Sequence, residues 1–320
     1  MNQALPRSLA AALAAALLAG CGVQQAPVYQ APAPAQSSQV QPSTAAPRPS
    51  VTSPATATPA PTETLAATPA VKVKSVANFR DVAGSGAGLV LSDGTRMATG
   101  VVYRSSKLRP LSSTDKKKLV AAGITDIYDL RTPTVVKASP DPKVKGAAWH
   151  LSNVFAVKKT PVVRPSSIAK ATAHMRAMNK AFVSSAKQRK AIAAVLRGIT
   201  NDKGPVIVHC TEGKDRTGWI SAVLQLVAGA SEKSVVGEYL LSNTYRKKLI
   251  DAEVAHVRKT KGAKAASIKK ALLTVDDSYL KAGLSELKKR YGDVDGYLTD
   301  GLGLSRGTIV ELRAKLRVAG

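Results

Sequence analysis

Four uninterrupted apolar positions, Pro205-Val206-Ile207-Val208, are followed after a polar stretch by the longer apolar run Trp219-Ile220-Ser221-Ala222-Val223-Leu224-Gln225-Leu226-Val227. The first run has the length of a buried strand. The second has the length of a buried helix, and Gly229 stands where a left-handed residue would end it. Upstream, Val71 to Val76, Gly88 to Leu91, Val101 to Ser105, Ile124 to Leu130 and Ala147 to Val154 read as strands, with turns at Gly84-Ser85-Gly86 and Asp93-Gly94. Ser112-Ser113-Thr114-Asp115 has the form of a helix cap leading into Lys116 to Ala122. Apolar residues at helical spacing form three further stripes: Ile192, Val195, Leu196 and Ile199; then Leu280, Leu284, Leu287 and Tyr291; then Ile309, Leu312 and Leu316. Strands alternating with helices, followed by a run of helices, predict an α/β domain with a central sheet flanked by helices over residues 71–320.

Before residue 71 the pattern disappears. Residues 22–70 hold ten prolines among Ala, Ser, Thr and Gln, and only two charged residues, Arg48 and Glu63. Such a segment buries too little apolar surface to offset its chain entropy, so a disordered linker is expected. Ahead of it, Arg7 precedes the apolar run Leu9 to Leu18, which ends in Leu18-Ala19-Gly20-Cys21. That run is shorter than the roughly 20 residues needed to span a bilayer. Its layout is that of a signal peptide, residues 1–21, with a lipobox-like end. Acylation of Cys21 would make the protein an exported one, lipid-anchored to the cell membrane. Cys210 is then the only other cysteine, and no disulfide framework is expected.

Charge narrows the partners. Lys and Arg number 47 against 21 Asp and Glu, a formal net charge of +26. The excess collects at Lys116-Lys117-Lys118, Arg246-Lys247-Lys248, Arg258 to Lys270 and Lys288-Lys289-Arg290. A basic field attracts phosphorylated substrates and anionic lipid or wall polymers. Aromatics are 4% of residues and do not interleave with the clusters, so nucleic acid is not expected as a partner. The stretch Ser242 to Leu273 is helix-like and very basic, a candidate lid. His150, His174, His209 and His256 lack metal-ligand spacing, and there is no Walker or dinucleotide loop; neither metal nor cofactor is expected.

The polar stretch between the two apolar runs carries the chemistry. His209-Cys210-Thr211-Glu212-Gly213-Lys214-Asp215-Arg216-Thr217-Gly218 joins a strand end to a helix N-terminus, where backbone N–H groups and the helix dipole favour an anion. Cys210 in that cradle is expected to have a lowered pKa and to act as a thiolate nucleophile toward phosphorus. Arg216 has the planar fork to grip phosphoryl oxygens and stabilise their charge in the transition state. Thr211, Glu212, Gly213, Lys214 and Thr217 complete the substrate-binding loop: Gly213 permits the tight turn, Lys214 adds a cation for substrates with more than one phosphate, and Thr217 can donate to the sulfur. His209 orients the loop. Ester cleavage also needs a proton donor. Asp215 is the first candidate, Asp129 at the end of a predicted strand the second and Asp81 the third; Asp129 could instead brace Arg131, and Asp81 a turn.

These residues resemble the cysteine-dependent protein tyrosine phosphatases, and in particular the bacterial and fungal group with an HCxxGKDRTG loop, which has a secreted mycobacterial member acting on phosphotyrosine and phosphoinositides. Asn78-Phe79-Arg80-Asp81, Tyr103-Arg104-Ser105-Ser106 and Asp129-Leu130-Arg131-Thr132 match its NFRD, YRS and DLR elements. Tyr239 to Asn243 and Tyr291 to Leu298 are similar to its C-terminal helical segments. The resemblance spans about residues 75 to 318. It implies a tyrosine phosphatase fold and hydrolysis of phosphate monoesters through a phosphocysteine, with protein phosphotyrosine as substrate and phosphoinositide or inositol phosphate as further substrates. Members often carry a Glu shortly after DLR; Val135-Val136-Lys137 stand there instead. Two other readings of the residues stay open: a rhodanese-like sulfurtransferase and a non-catalytic lipoprotein that binds anionic polymers.

Overall fold

The computed structural model describes residues 71–318; the expected signal peptide with Cys21 and the expected linker 22–70 lie outside the described residues. A five-stranded sheet has the order β1-β2-β5-β3-β4, built from Arg80–Asp81, Val102–Ser105, Val206–His209, Asp126–Asp129 and Ala148–Leu151. β2, β5, β3 and β4 run parallel, and the short β1 pairs antiparallel to β2. β5 is central, and all four of its residues are buried, which is why its sequence is apolar without alternation. Val206 and Val208 face the larger core cluster with Trp219, Leu224 and Leu280; Ile207 faces the other cluster, with Tyr103, Leu119 and Ile127.

Helices cover both faces, as the pattern predicts. α1 (Ser113–Ala121) starts at Ser112, whose hydroxyl accepts from the Asp115 amide. α2 (Pro133–Ala138) holds the divergent Val135-Val136-Lys137 and buries no residue. α3 (Ile168–Ser184) and α4 (Ala186–Asn201) precede β5, and α5 (Arg216–Ala228) follows it, ending at Gly229 with φ 102°. α7 (Asp277–Tyr291), the single turn α8 (Val294–Gly296) and α9 (Arg306–Lys315) follow, and the stripes expected on α4, α7 and α9 are buried except for the half-buried Tyr291.

The basic stretch after α5 forms most of α6 (Glu232–Leu273), which is a hairpin rather than one rod. Gly262, at φ 83° and ψ 173°, reverses the chain between two helical arms. Lys269 Nζ reaches Glu253 Oε1 at 3.1 Å and joins the arms. At the base, Asn243 exchanges two 2.8 Å hydrogen bonds with the Val275 backbone, and Arg246 donates to the Leu273 carbonyl at 2.6 Å.

Two expected strands do not form. Val71 to Val76 is irregular because the Asp115 carboxylate takes the amides of Lys74 and Ser75, at 2.9 and 2.7 Å, that a neighbouring strand would have used. Gly88 to Leu91 keeps a single bridge, Val90 to Arg96; Gly88 has φ 90°, outside the extended region.

Candidate active site

The polar loop connects β5 to α5, at the carboxyl ends of the parallel strands. Its shape follows from where its carbonyls are drawn. The Lys107 amide donates to the Thr211 carbonyl at 3.3 Å. Asn78 Nδ2 donates to the carbonyls of Glu212 at 3.2 Å and Gly213 at 2.8 Å, and Arg104 donates a second bond to Gly213 at 2.8 Å. With these carbonyls held from outside, the loop amides are free to turn inward, and the Gly213 N–H meets Cys210 Sγ at 3.2 Å. Only glycine fits at 213: φ is 67°, and an added Cβ would lie 2.4 Å from the Ser105 backbone.

Cys210 is buried. Burial alone would push its thiol up, but the Arg216 charge and the hydroxyl and amide of Thr217 outweigh it, and the thiol lies below its ordinary value. Arg216 is anchored by the Leu130 carbonyl at 3.1 Å and Thr211 Oγ1 at 3.4 Å, and its guanidinium lies over the Phe155 ring, 4.3 Å from the centroid.

A buried carboxylate fastens the frame around the loop. Glu238 on α6 accepts from Arg80 Nε through Oε1 and from Arg104 through Oε2, each at 2.6 Å. Arg80 also donates to Asn78 Oδ1 at 2.5 Å. Burial and the nearby Arg104 pull the Arg80 guanidinium down to about 10 despite Glu238, so it keeps its charge at neutral pH. Thus one side chain of α6 sets the two arginines and, through Asn78 and Arg104, the Gly213 peptide. Arg246, also on α6, reaches Glu212 Oε2 at 3.2 Å.

The three acid candidates occupy different settings. Asp215 stands at the N-cap position of α5 beside Arg216 without a capping bond from its side chain, is partly exposed, and its charge reaches the Cys210 sulfur. Lys214, 1% exposed, is no rim lysine: Nζ lies 3.0 Å from Asp215 Oδ2 and 3.4 Å from the Thr274 carbonyl. Asp129 is fully buried and grips Arg131 through both oxygens, at 2.8 and 2.6 Å. Asp81 accepts from the amides of Ala83 and Gly100 at 2.8 and 2.6 Å, and burial raises its carboxyl to about 6.

Arg131 also binds Asp141 at 2.6 Å, and His209 Nε2 stands 3.2 Å from the same carboxylate. Burial keeps His209 below the ordinary imidazole value, hence neutral at pH 7, with Nδ1 3.3 Å from the Cys210 carbonyl. Asp129, Asp141 and His209 have the donor chemistry of a metal site and lie within 4.8 Å of one another. Arg131 donates to both carboxylates, so the cation at their centre is a guanidinium.

Sequence reasoning assigned no role to Arg80, Arg104, Asp141, Phe155 or Glu238. The signal available was a charge inside an apolar run: Arg104 follows Val101-Val102-Tyr103, and a buried arginine requires a carboxylate partner.

The profile of the tyrosine phosphatase family matches residues 71–318. The chain is 30% identical over 236 residues to a Cupriavidus necator protein named as a tyrosine-protein phosphatase, covering 71% of this chain and 82% of that protein. It is 28% identical over 278 residues to the triple specificity protein phosphatase PtpB of Mycobacterium tuberculosis, covering 75% and 96%. A tyrosine-protein phosphatase of Nostoc commune is 27% identical over 283 residues, covering 79% and 91%.

Proposed function

Because the chain belongs to the tyrosine phosphatase family and is a cysteine-dependent phosphatase, we propose that it hydrolyses phosphotyrosine esters through a phosphocysteine on Cys210. Family membership selects this reading over the sulfurtransferase and the non-catalytic lipoprotein. The Cys210 thiolate attacks phosphorus; the S–P bond forms as the bond to the ester oxygen breaks. Asp215 gives its proton to the leaving oxygen. Water then attacks phosphorus, Asp215 takes its proton, and inorganic phosphate leaves the regenerated thiolate. Arg216 and the inward amides carry the phosphoryl charge in both steps. The Thr217 hydroxyl stabilises the sulfur anion as it departs. The observation that carries the proposal is the buried sulfur at the β5–α5 loop, which takes the Gly213 N–H at 3.2 Å and whose thiol the Arg216 charge and Thr217 hold below its ordinary value.

Asp215 is favoured as the acid because Asp129 is fully buried on Arg131 and Asp81 is buried on two amides, whereas Asp215, although paired with Lys214, is partly exposed beside Arg216. Asp215→Asn should lose more rate on phenyl phosphate, a poor leaving group, than on p-nitrophenyl phosphate. Equal loss on both contradicts the assignment. Lys214, a second cation in the loop that would have to leave Asp215 to meet a ligand, supports an extension to phosphoinositides and inositol phosphates, which bear further phosphates.

We also propose that the protein is exported and held at the cell membrane by acylation of Cys21, on the strength of the Leu-Ala-Gly-Cys ending of its first apolar run. Detergent phase partitioning of cell extracts tests this: the parent should enter the detergent phase and Cys21→Ser should not. A parent found in the aqueous phase contradicts the anchor.

A further inference from the structure

We propose that the outward face of the first α6 arm, together with the hairpin tip, docks on an anionic lipid bilayer. Glu238, Ser242, Arg246 and Ile250 recur every four residues and are buried. Leu241, Tyr245 and Leu249 follow the same spacing on a different face and are 40%, 45% and 55% exposed. At 3.6 residues per turn Lys248 and Lys259 share that outward side, and both are exposed. The face is therefore apolar near the body of the protein and basic toward the tip.

At the tip the charge has one sign. Arg258, Lys259, Lys261 and Lys264 surround the Gly262 reversal, all exposed, and no acidic residue occurs from Val254 to Val275. Apolar side chains beside a dense row of cations are the two chemistries of a helix that lies in a bilayer interface: the first enters the headgroup region, the second meets anionic headgroups. A soluble polyanion would satisfy only the lysines and leave Leu241 and Leu249 in water. Single-stranded nucleic acid would need several stacking aromatics; this face has Tyr245 alone, whose ring already carries the Arg80 guanidinium at 4.9 Å. Since the same arm holds Glu238 and Arg246 against the catalytic loop, docking would bring the active site to the membrane surface. The inference does not require that lipid be a substrate.

Vesicle sedimentation tests it on the full-length chain, with Cys21→Ser in every protein so that no acyl chain contributes. Vesicles of phosphatidylcholine alone are compared with vesicles containing phosphatidylserine. Binding should be roughly tenfold or more stronger to the anionic vesicles, and the Lys259→Glu, Lys261→Glu, Lys264→Glu triple variant should fall to the phosphatidylcholine level. A Leu241→Ser, Leu249→Ser variant should bind anionic vesicles more weakly than the parent yet bind heparin equally. All should hydrolyse p-nitrophenyl phosphate at the parent rate, which separates failure of docking from failure of the phosphatase reading. Equal binding to both vesicle types, or full retention by the triple variant, overturns the proposal. So does a double-leucine variant that binds vesicles as the parent does, which makes the surface a site for soluble polyanions.

Discussion

Cys210 sits between opposing influences, and its reactivity is their difference. Burial disfavours the thiolate; the Arg216 charge and the Thr217 donors favour it and prevail. The sign of the resulting pH dependence follows. A thiol held below its ordinary pKa is a thiolate at lower pH than a free cysteine, so its alkylation by iodoacetamide should rise at lower pH. Thr217→Val keeps the shape and removes one donor, so the alkylation midpoint should move to higher pH by up to about one unit. An unmoved midpoint contradicts the role given to the hydroxyl. At this scale the loop was legible: Cys210, Gly213 and Arg216 have fixed chemical duties in any anion cradle of this spacing. Lys214 was not, because only the fold brings Thr274 across from the end of α6 to bury it. Nor was the setting of Asp129, whose oxygens depend on the rotamer that Arg131 adopts.

Glu238 connects elements that are far apart in the chain. Arg80 lies 158 residues before it and Arg104 lies 134 before it, yet each meets one of its oxygens. Replacing it with Gln preserves volume but leaves two buried arginines without a counter-charge. Glu238→Gln should lower unfolding stability by about 3 kcal/mol, read by urea denaturation. It should also slow turnover, because Arg104 loses the partner that aims it at the Gly213 carbonyl. Unchanged stability and turnover would contradict the clamp. Buried pairings of this kind explain which elements the pattern missed. β1 is two residues long and charged, Arg80–Asp81, and it is a strand because β2 pairs with it and Glu238 neutralises Arg80. α3 escaped notice because small alanines and the polar Asn179 dilute its buried face. Conversely, Val71 to Val76 has strand composition, but Asp115, about 40 residues on, captures its amides. β5, α5 and the stripes of α4, α7 and α9 were readable because apolar side chains make up most of their buried faces.

For the whole molecule, the parallel strands converge their carboxyl ends on one edge, where the β5–α5 loop, Leu130 and the Phe155 segment meet around the sulfur. The chain's formal charge of +26 favours encounter with phosphate esters. The α6 hairpin adds a basic, partly apolar limb fastened to the Cys210 loop by Arg246 and, through Arg80 and Arg104, by Glu238. The proposed mechanism turns on one event, transfer of a phosphoryl group to sulfur. Mass spectrometry of acid-quenched turnover mixtures observes that event directly. The account predicts that the peptide containing Cys210 gains the mass of one phosphoryl group during hydrolysis of p-nitrophenyl phosphate, and that Cys210→Ser neither gains it nor turns over. Continued hydrolysis by Cys210→Ser, or turnover by the parent with that peptide unmodified throughout, would contradict it.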